Sequence, residues 1–171
     1  IGMVSLGCPK NQVDAEQMLG RFREAGFGLT NDPSEADVII VNTCGFIESA
    51  KQESIDTILE MSQYRENGRL KALIATGCLA ERYREEVAKL LPELDAVIGI
   101  GANGDIVQAV KDALGGVHPV RFGEKESLPM DGGRVLTTPP YSAYLRVADG
   151  CDNRCTYCAI PLIRGGYRSR P

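Results

Sequence analysis

The sequence predicts an α/β protein built on an open, mainly parallel sheet that is flanked by helices. Short apolar runs alternate with stretches in which apolar residues recur at helical spacing. One run, at 36–41, consists largely of β-branched residues, as is typical of a strand buried on both faces of a parallel sheet. Regular alternation of strand and helix implies parallel neighbours joined by right-handed crossovers.

Four strand–helix units are expected in residues 1–115, which we assign to one domain. The first helix is predicted to open at Asn11 or Gln12 and to close at Gly26. The third helix is predicted to run without a break as far as Pro92. The four strands are predicted at 3–6, 36–41, 71–75 and 96–100.

Residues 116–140 are rich in Gly and Pro and have no apolar periodicity, so we predict a linker there. It contains His118, the single histidine, which is expected to be exposed to solvent. A new strand is expected from Tyr141 through Val147, and it would begin a different domain at 141–171. The chain lacks an initiator Met and stops within a motif, so we interpret it as a fragment.

Composition excludes several classes of protein. A hydrophobic content of 43% with 25% charged residues indicates a globular chain. No apolar run approaches the roughly 20 residues that span a bilayer, so we do not expect a membrane protein. The start lacks a secretory signal, and six cysteines beside a good core pattern favour metal or redox chemistry in a reducing cytoplasm over disulfides.

Charge is distributed unevenly along the chain. Acidic residues outnumber basic ones up to residue 140, whereas five arginines face two aspartates in 141–171. An acidic main body repels a phosphate backbone and favours a basic protein partner. We therefore do not expect nucleic acid to be the direct substrate.

Cys8, Cys44 and Cys78 each come shortly after a predicted strand and before a helix. Their separations suit neighbouring βαβ units, which take about 30 or more residues each. Because parallel strands end at one edge of the sheet, we expect the three thiols to meet there. An iron–sulfur cluster with one open iron, a zinc site completed by water, and three unrelated core cysteines are all compatible with this spacing.

Cys151, Cys155 and Cys158 lie in one short loop, which reads CDNRCTYC. Three thiolates in such a loop can hold three irons of a 4Fe–4S cube and leave the fourth iron open to a ligand. Zinc sites usually pair a CxxC motif with a distant second pair, so zinc fits this spacing less well.

This loop resembles the cluster loop of radical S-adenosylmethionine enzymes, and further motifs resemble the methylthiotransferase branch of that family. These motifs are SLGCPKN at 5–11, VNTCGFI at 41–47, GCL at 77–79 and the segment 150–170. The resemblance implies a methylthiotransferase N-terminal domain at 1–115. It also implies that 141–171 is the first strand and cluster loop of a radical S-adenosylmethionine barrel.

The resemblance implies two 4Fe–4S clusters as cofactors, together with S-adenosylmethionine. Cys8, Cys44 and Cys78 would bind one cluster, which holds or donates sulfur. The second cluster, bound by Cys151, Cys155 and Cys158, would receive an electron from an external donor and cleave S-adenosylmethionine, with Tyr157 near the adenine. The resulting radical would remove hydrogen from a substrate carbon, which then captures the methylthio group.

The first motif also discriminates within the family. SLGCPKN resembles the branch that methylthiolates the β-carbon of an aspartate in the small-subunit ribosomal protein S-twelve, whereas tRNA-modifying relatives usually read GCQMN at this point. A tRNA adenosine methylthiotransferase and a non-catalytic iron–sulfur module are the alternatives. We expect the fragment alone to be inactive, because most of the implied barrel lies outside it.

The sequence is compatible with two roles for each of two further groups of residues. Lys10 and Asn11 either orient sulfur or a carboxylate substrate, or serve the fold, with Asn11 as a helix cap. Arg164, Arg168 and Arg170 either contact a cofactor carboxylate or substrate, or form a solvated basic loop.

Overall fold

The central feature of the structure, a computed structural model that describes residues 1–170, is a sheet of five parallel strands. The strands lie side by side in the order in which they occur along the chain. This confirms the predicted α/β class and parallel sheet. The strands are β1 (Gly2–Ser5), β2 (Val38–Thr43), β3 (Ala72–Gly77), β4 (Ala96–Ile98) and β5 (Val120–Arg121).

Helices cover both faces of this sheet, and none within residues 1–170 is long and apolar enough to cross a membrane. Short 3₁₀ turns occur at Pro33–Glu35, Ile100–Asp105 and Lys125–Ser127. The α-helices are α1 (Pro9–Glu24), α2 (Glu48–Ser62), α3 (Tyr64–Asn67), α4 (Cys78–Tyr83), α5 (Glu85–Leu90), α6 (Ile106–Leu114) and α7 (Ile160–Arg164).

The central strand β2 supplies side chains to two apolar layers. Val38 and Ile40 pack on one face with residues of α1 and α6. Ile39 and Val41 pack on the other face with residues of α2, α4 and α5. All six residues of β2 are buried, which explains why the strand has an unbroken apolar run instead of an alternating pattern.

A fifth strand lies within the segment that the sequence analysis assigns to a linker. The Val97 N–H donates to the Pro119 carbonyl at 3.0 Å, and the Gly99 N–H donates to the Arg121 carbonyl at 2.8 Å. The pairing satisfies the backbone groups of β4 that face away from β3. Two residues are too few to produce a periodic pattern, so this strand is visible only through its partner.

The predicted third helix is divided into α4 and α5. Arg84 separates them with a φ of 46°, a backbone conformation that non-glycine residues seldom adopt. The prediction of one continuous helix was therefore wrong. The predicted role of Gly26 in closing α1 is confirmed, because Gly26 follows the C-cap residue of the helix with a φ of 83°.

The strand expected from Tyr141 through Val147 is not present in the described residues. Tyr144, Leu145 and Val147 are exposed, and none of them belongs to a strand, although the Val147 carbonyl accepts from the Arg170 N–H at 2.8 Å. The first strand here is instead β6 (Ala148–Asp149), which pairs antiparallel with β7 (Arg168–Ser169). Pro171, the last residue of the predicted third segment, lies outside the described residues.

We predict that Ile58→Ala lowers the free energy of unfolding by about 2–5 kcal/mol, because it removes a fully buried side chain between α2 and the sheet. Ile47→Ala, at a side chain that is 57% exposed, serves as the matched control and should change the free energy by less than about 0.5 kcal/mol. Urea denaturation followed by circular dichroism measures both. Equal losses for the two variants would contradict the assigned core.

Candidate functional site

The first three cysteines lie at the carboxyl edge of the sheet, as the sequence predicts. Cys8 follows β1 and is the N-cap residue of α1. Cys44 comes directly after β2, and Cys78 comes directly after β3 as the first residue of α4. The strand register pairs Thr43 with Gly77, so Cys44 and Cys78 leave adjacent strands at the same level.

The loops that carry these cysteines pack against one another. A Cβ atom built on Gly7, which has a φ of 90°, would lie 2.9 Å from the Cβ and 3.1 Å from the Sγ of Cys44. A Cβ on Gly45 would lie 2.7 Å from the Cα of Leu79, the residue after Cys78. Glycine at these two positions therefore permits a contact between neighbouring loops that any side chain would prevent.

The three thiols differ in their exposure to solvent. Cys8 is exposed, Cys44 is half-buried and Cys78 is buried. Burial raises the pKa of the Cys78 thiol to about 11, although the nearby Arg164 guanidinium acts in the opposite direction. The Cys78 Sγ donates to the Oδ1 atom of Asn11 at 3.3 Å and lies 3.9 Å from the Nη2 atom of Arg164.

Asn11 connects the ends of two strands to this thiol. Its side-chain amide donates to the carbonyls of Leu6 and Thr43, at 2.9 Å in each case. Its Oδ1 atom accepts from Arg164 at 2.6 Å and from Cys78. Asn11 is fully buried inside α1 and does not cap the helix, so the capping interpretation was wrong.

A buried network of charged side chains lies beside Cys78. Arg164, only 2% exposed, bonds Asp14 at 2.6 Å and lies 3.5 Å from Asp149. Arg146 pairs with Asp14, and Lys10 lies 3.2 Å from Asp149. For Arg164 the solvated-loop interpretation was therefore wrong, since its guanidinium points into the protein. Three cations and two carboxylates leave an excess of one positive charge.

Charged neighbours in this network shift the pKa values of Asp149 and Arg164 in the direction that favours their ionised forms. Burial alone would raise the pKa of Asp149, but Arg164 and Lys10 together hold it below its usual value. Burial likewise disfavours the charged form of Arg164, but Asp14, Cys78 and Asp149 raise its pKa above the usual value. Both groups are therefore ionised at neutral pH.

The second cysteine loop is attached to the same region. On its N-terminal side, the carboxylate of Asp149 binds Lys10. On its C-terminal side, Ala159 and Ile163 pack in a small apolar cluster with Cys78. The loop thus extends from two anchor points beside the first set of cysteines.

Within the loop itself, backbone hydrogen bonds fix the course of the chain. The Cys151 N–H donates to the Gly165 carbonyl at 3.1 Å, and the Cys158 N–H donates to the Cys155 carbonyl at 3.0 Å. Cys155 is exposed, and Tyr157 is 86% exposed. The loop presents these two side chains to solvent.

The other residues considered from the sequence lie apart from the cysteines or serve the fold. His118 is exposed, as expected. Arg168 donates to the carbonyls of Glu126 and Leu128, and Arg170 is exposed. Across residues 1–170, no group of three or more His, Cys, Asp or Glu side chains stands ready to hold a metal ion.

A cavity of about 760 Å³ opens beside Cys8. Its walls include Ser5, Gln12, Thr137 and Tyr144, and no charged residue lines it among those described. Cys8, the exposed member of the first set of cysteines, lies in its wall.

The buried partners of Arg164 were not predicted from the sequence. Asp14 lies three residues after Asn11 on the buried side of α1, where a polar pair interrupts an apolar stripe. This interruption was the one feature of the sequence that could have indicated a buried polar site on α1. The two arginines that pair with Asp14 lie 132 and 150 residues away along the chain.

Comparison with known proteins identifies relatives of this chain. Residues 1–99 match the model of the Uncharacterized protein family UPF0004. Proteins named ribosomal protein uS12 methylthiotransferase RimO are similar along the entire chain. The protein of Desulforamulus reducens is 54% identical over 177 residues, which cover 100% of this chain and 39% of the relative.

Two further relatives carry the same name. The protein of Clostridium tetani is 54% identical over 170 residues, covering 99% of this chain and 38% of its own length. That of Lachnoclostridium phytofermentans is 52% identical over 172 residues, covering 100% and 39%. This chain therefore spans about two fifths of the length of the curated relatives that it matches. The resemblance to methylthiotransferases inferred from the motifs is confirmed, and the chain belongs to the family UPF0004 and is similar to RimO methylthiotransferases from end to end.

Proposed function

We propose that the protein containing this chain is a methylthiotransferase that modifies the β-carbon of an aspartate in uS12, the ribosomal protein S-twelve. The choice of substrate rests on the relatives, which are named uS12 methylthiotransferases. The assignment of the chemistry rests on the site formed by the first three cysteines. The observation that carries the proposal is that the loops of Cys8, Cys44 and Cys78 are in contact, and that the buried guanidinium of Arg164 lies beside Cys78.

Cys8, Cys44 and Cys78 would bind the first 4Fe–4S cluster. Three thiolates suit a cluster in which one iron has no protein ligand. A cluster bound by thiolates is anionic, and the excess positive charge beside Cys78 would offset it.

Cys151, Cys155 and Cys158 would bind the second 4Fe–4S cluster, and the exposed Tyr157 would contact the adenine of S-adenosylmethionine. When bound, the second cluster and S-adenosylmethionine would supply the substrate radical, with an electron from an external donor, and the first cluster would supply the sulfur of the methylthio group. Asn11 orients Cys78 and ties the ends of two strands together.

The residues of this chain also determine how the two cysteine sets face each other. Lys10 and Arg164 hold the chain on either side of the second loop against α1. The cavity beside Cys8 leaves the first set open to a reactant from solvent.

The binding of two separate clusters is testable with the complete protein, reconstituted without oxygen. We predict that Cys78→Ala removes about half of the bound iron, that Cys155→Ala removes the other half, and that the double variant binds none, because each cluster needs its three thiolates. Iron and sulfide analysis measures the loss, and His118→Ala, at an exposed residue, is the control that retains all iron. Complete loss of iron in either single variant would contradict two independent clusters.

The substrate assignment is testable in cells. We predict that uS12 carries a methylthio group on an aspartate when the gene is intact, and that this group is absent after deletion of the gene. Wild-type and His118→Ala genes should restore it, whereas Cys155→Ala should not. Mass spectrometry of purified uS12 measures the modification. Unmodified uS12 together with a gene-dependent methylthio group on tRNA would show the substrate assignment to be wrong.

A further inference from the structure

Arg164 is held in one orientation beside the first set of cysteines. One guanidinium nitrogen, Nη1, bonds Asp14 at 2.6 Å. The other, Nη2, bonds Asn11 at 2.6 Å and lies 3.9 Å from the Cys78 sulfur. The planar group thus has partners on both nitrogens, and with 2% exposure it has no room to turn towards solvent.

We propose that Arg164 is a positioning residue that raises the reduction potential of the cluster bound at Cys8, Cys44 and Cys78. The inference rests on the proposed function in one respect, namely that these cysteines bind a cluster. Beyond that function, it assigns a role to Arg164, which is not a cluster ligand. The role is to set the reduction potential of the cluster through its positive charge.

The physical argument concerns charge in a medium of low polarity. Reduction adds an electron to the cluster and so increases its negative charge. A fixed positive charge close to one sulfur ligand stabilises the reduced form more than the oxidised form. Because Arg164 is buried, water and salt screen this interaction weakly.

The charged groups around Arg164 do not cancel its effect. Asp14 and Asp149 are the two carboxylates in contact with it, and Arg146 and Lys10 neutralise part of their charge. The network therefore keeps one net positive charge. Of its cations, Arg164 is the one within hydrogen-bond distance of the Cys78 sulfur among the residues described.

Docking of the 141–170 segment does not require Arg164 to face Cys78. Ala159 and Ile163 already pack against the apolar side of this region. Arg146 and Lys10 also bind the segment to α1 by their own ion pairs. A purely structural role for Arg164 therefore does not explain why its guanidinium contacts the Cys78 sulfur.

The test uses the complete protein with Cys151→Ala, Cys155→Ala and Cys158→Ala, so that the first cluster alone is bound. Its iron content is measured first, and its reduction potential is then titrated with detection by electron paramagnetic resonance. In this background, Arg164→Gln should shift the potential to a more negative value, and Arg164→Lys should restore most of the shift. Asp149→Asn should shift it to a more positive value, since it removes a negative charge and keeps an oxygen for Lys10 and the Gly150 N–H.

Arg168→Gln is the matched control, because Arg168 binds the Glu126 and Leu128 carbonyls and takes no part in the network. It should leave the potential unchanged. If the two substitutions only loosened the structure, the potentials of Arg164→Gln and Asp149→Asn would shift in the same direction. That result would overturn the inference. Unchanged potentials in both variants would overturn it as well. If Arg164→Gln fails to bind iron, the lysine and Asp149 variants still decide.

The two proposals fail in different ways. Absence of iron from the background protein would overturn the cluster site itself, and with it this inference. Normal iron content with unchanged potentials would overturn only the role of Arg164, while the proposed methylthiotransferase function would stand.

Discussion

The buried ion network in which Asp14 pairs with Arg164 and Arg146 is the interaction on which the placement of the second cysteine loop beside the sheet depends. The pair between Asp14 and Arg164 lies at its centre. It joins the first helix of the sheet domain to the end of α7, across 150 residues of chain. Both side chains are nearly excluded from water, and each has a second ionic partner, since Arg146 also pairs with Asp14 and Asp149 lies 3.5 Å from Arg164. Such a pair favours a single relative placement of the segments that it joins.

The parallel topology explains why one short region contains so many of the polar groups. Each crossover returns the chain to the amino edge, so every strand delivers its last residue to the opposite edge. Cys8, Cys44 and Cys78 arrive there with decreasing exposure. The region therefore has an inner side at Cys78, next to the ion network, and an outer side at Cys8, next to the cavity.

Much of this arrangement was predictable from local sequence. The apolar runs of β2 and β3 and the position of each cysteine after a strand were sufficient to place three thiols at one edge. The two-residue strand β5 was not predictable, because it exists through hydrogen bonds with β4 and not through a pattern of its own. The break at Arg84 was likewise missed, since no glycine marks that positive φ.

The ion network was beyond local reasoning for a related reason. A basic residue such as Arg164 is exposed unless a distant carboxylate compensates its burial, and Asp14 is distant in sequence. The same holds for Asn11, whose partners lie just after β1 and on β2, α4 and α7. Each of these polar side chains resembles a surface residue until the fold is known.

The structure also places unequal limits on changes in chain length. The first two turns of α1 contain Lys10, Asn11 and Asp14, directly after Cys8, so one inserted residue there would rotate all of them away from their partners. The turns at the opposite, amino edge, such as that around Gly26, contain no residue of the network. Insertions and deletions among related sequences should therefore accumulate at the amino edge of the sheet and be rare between Cys8 and Asp14.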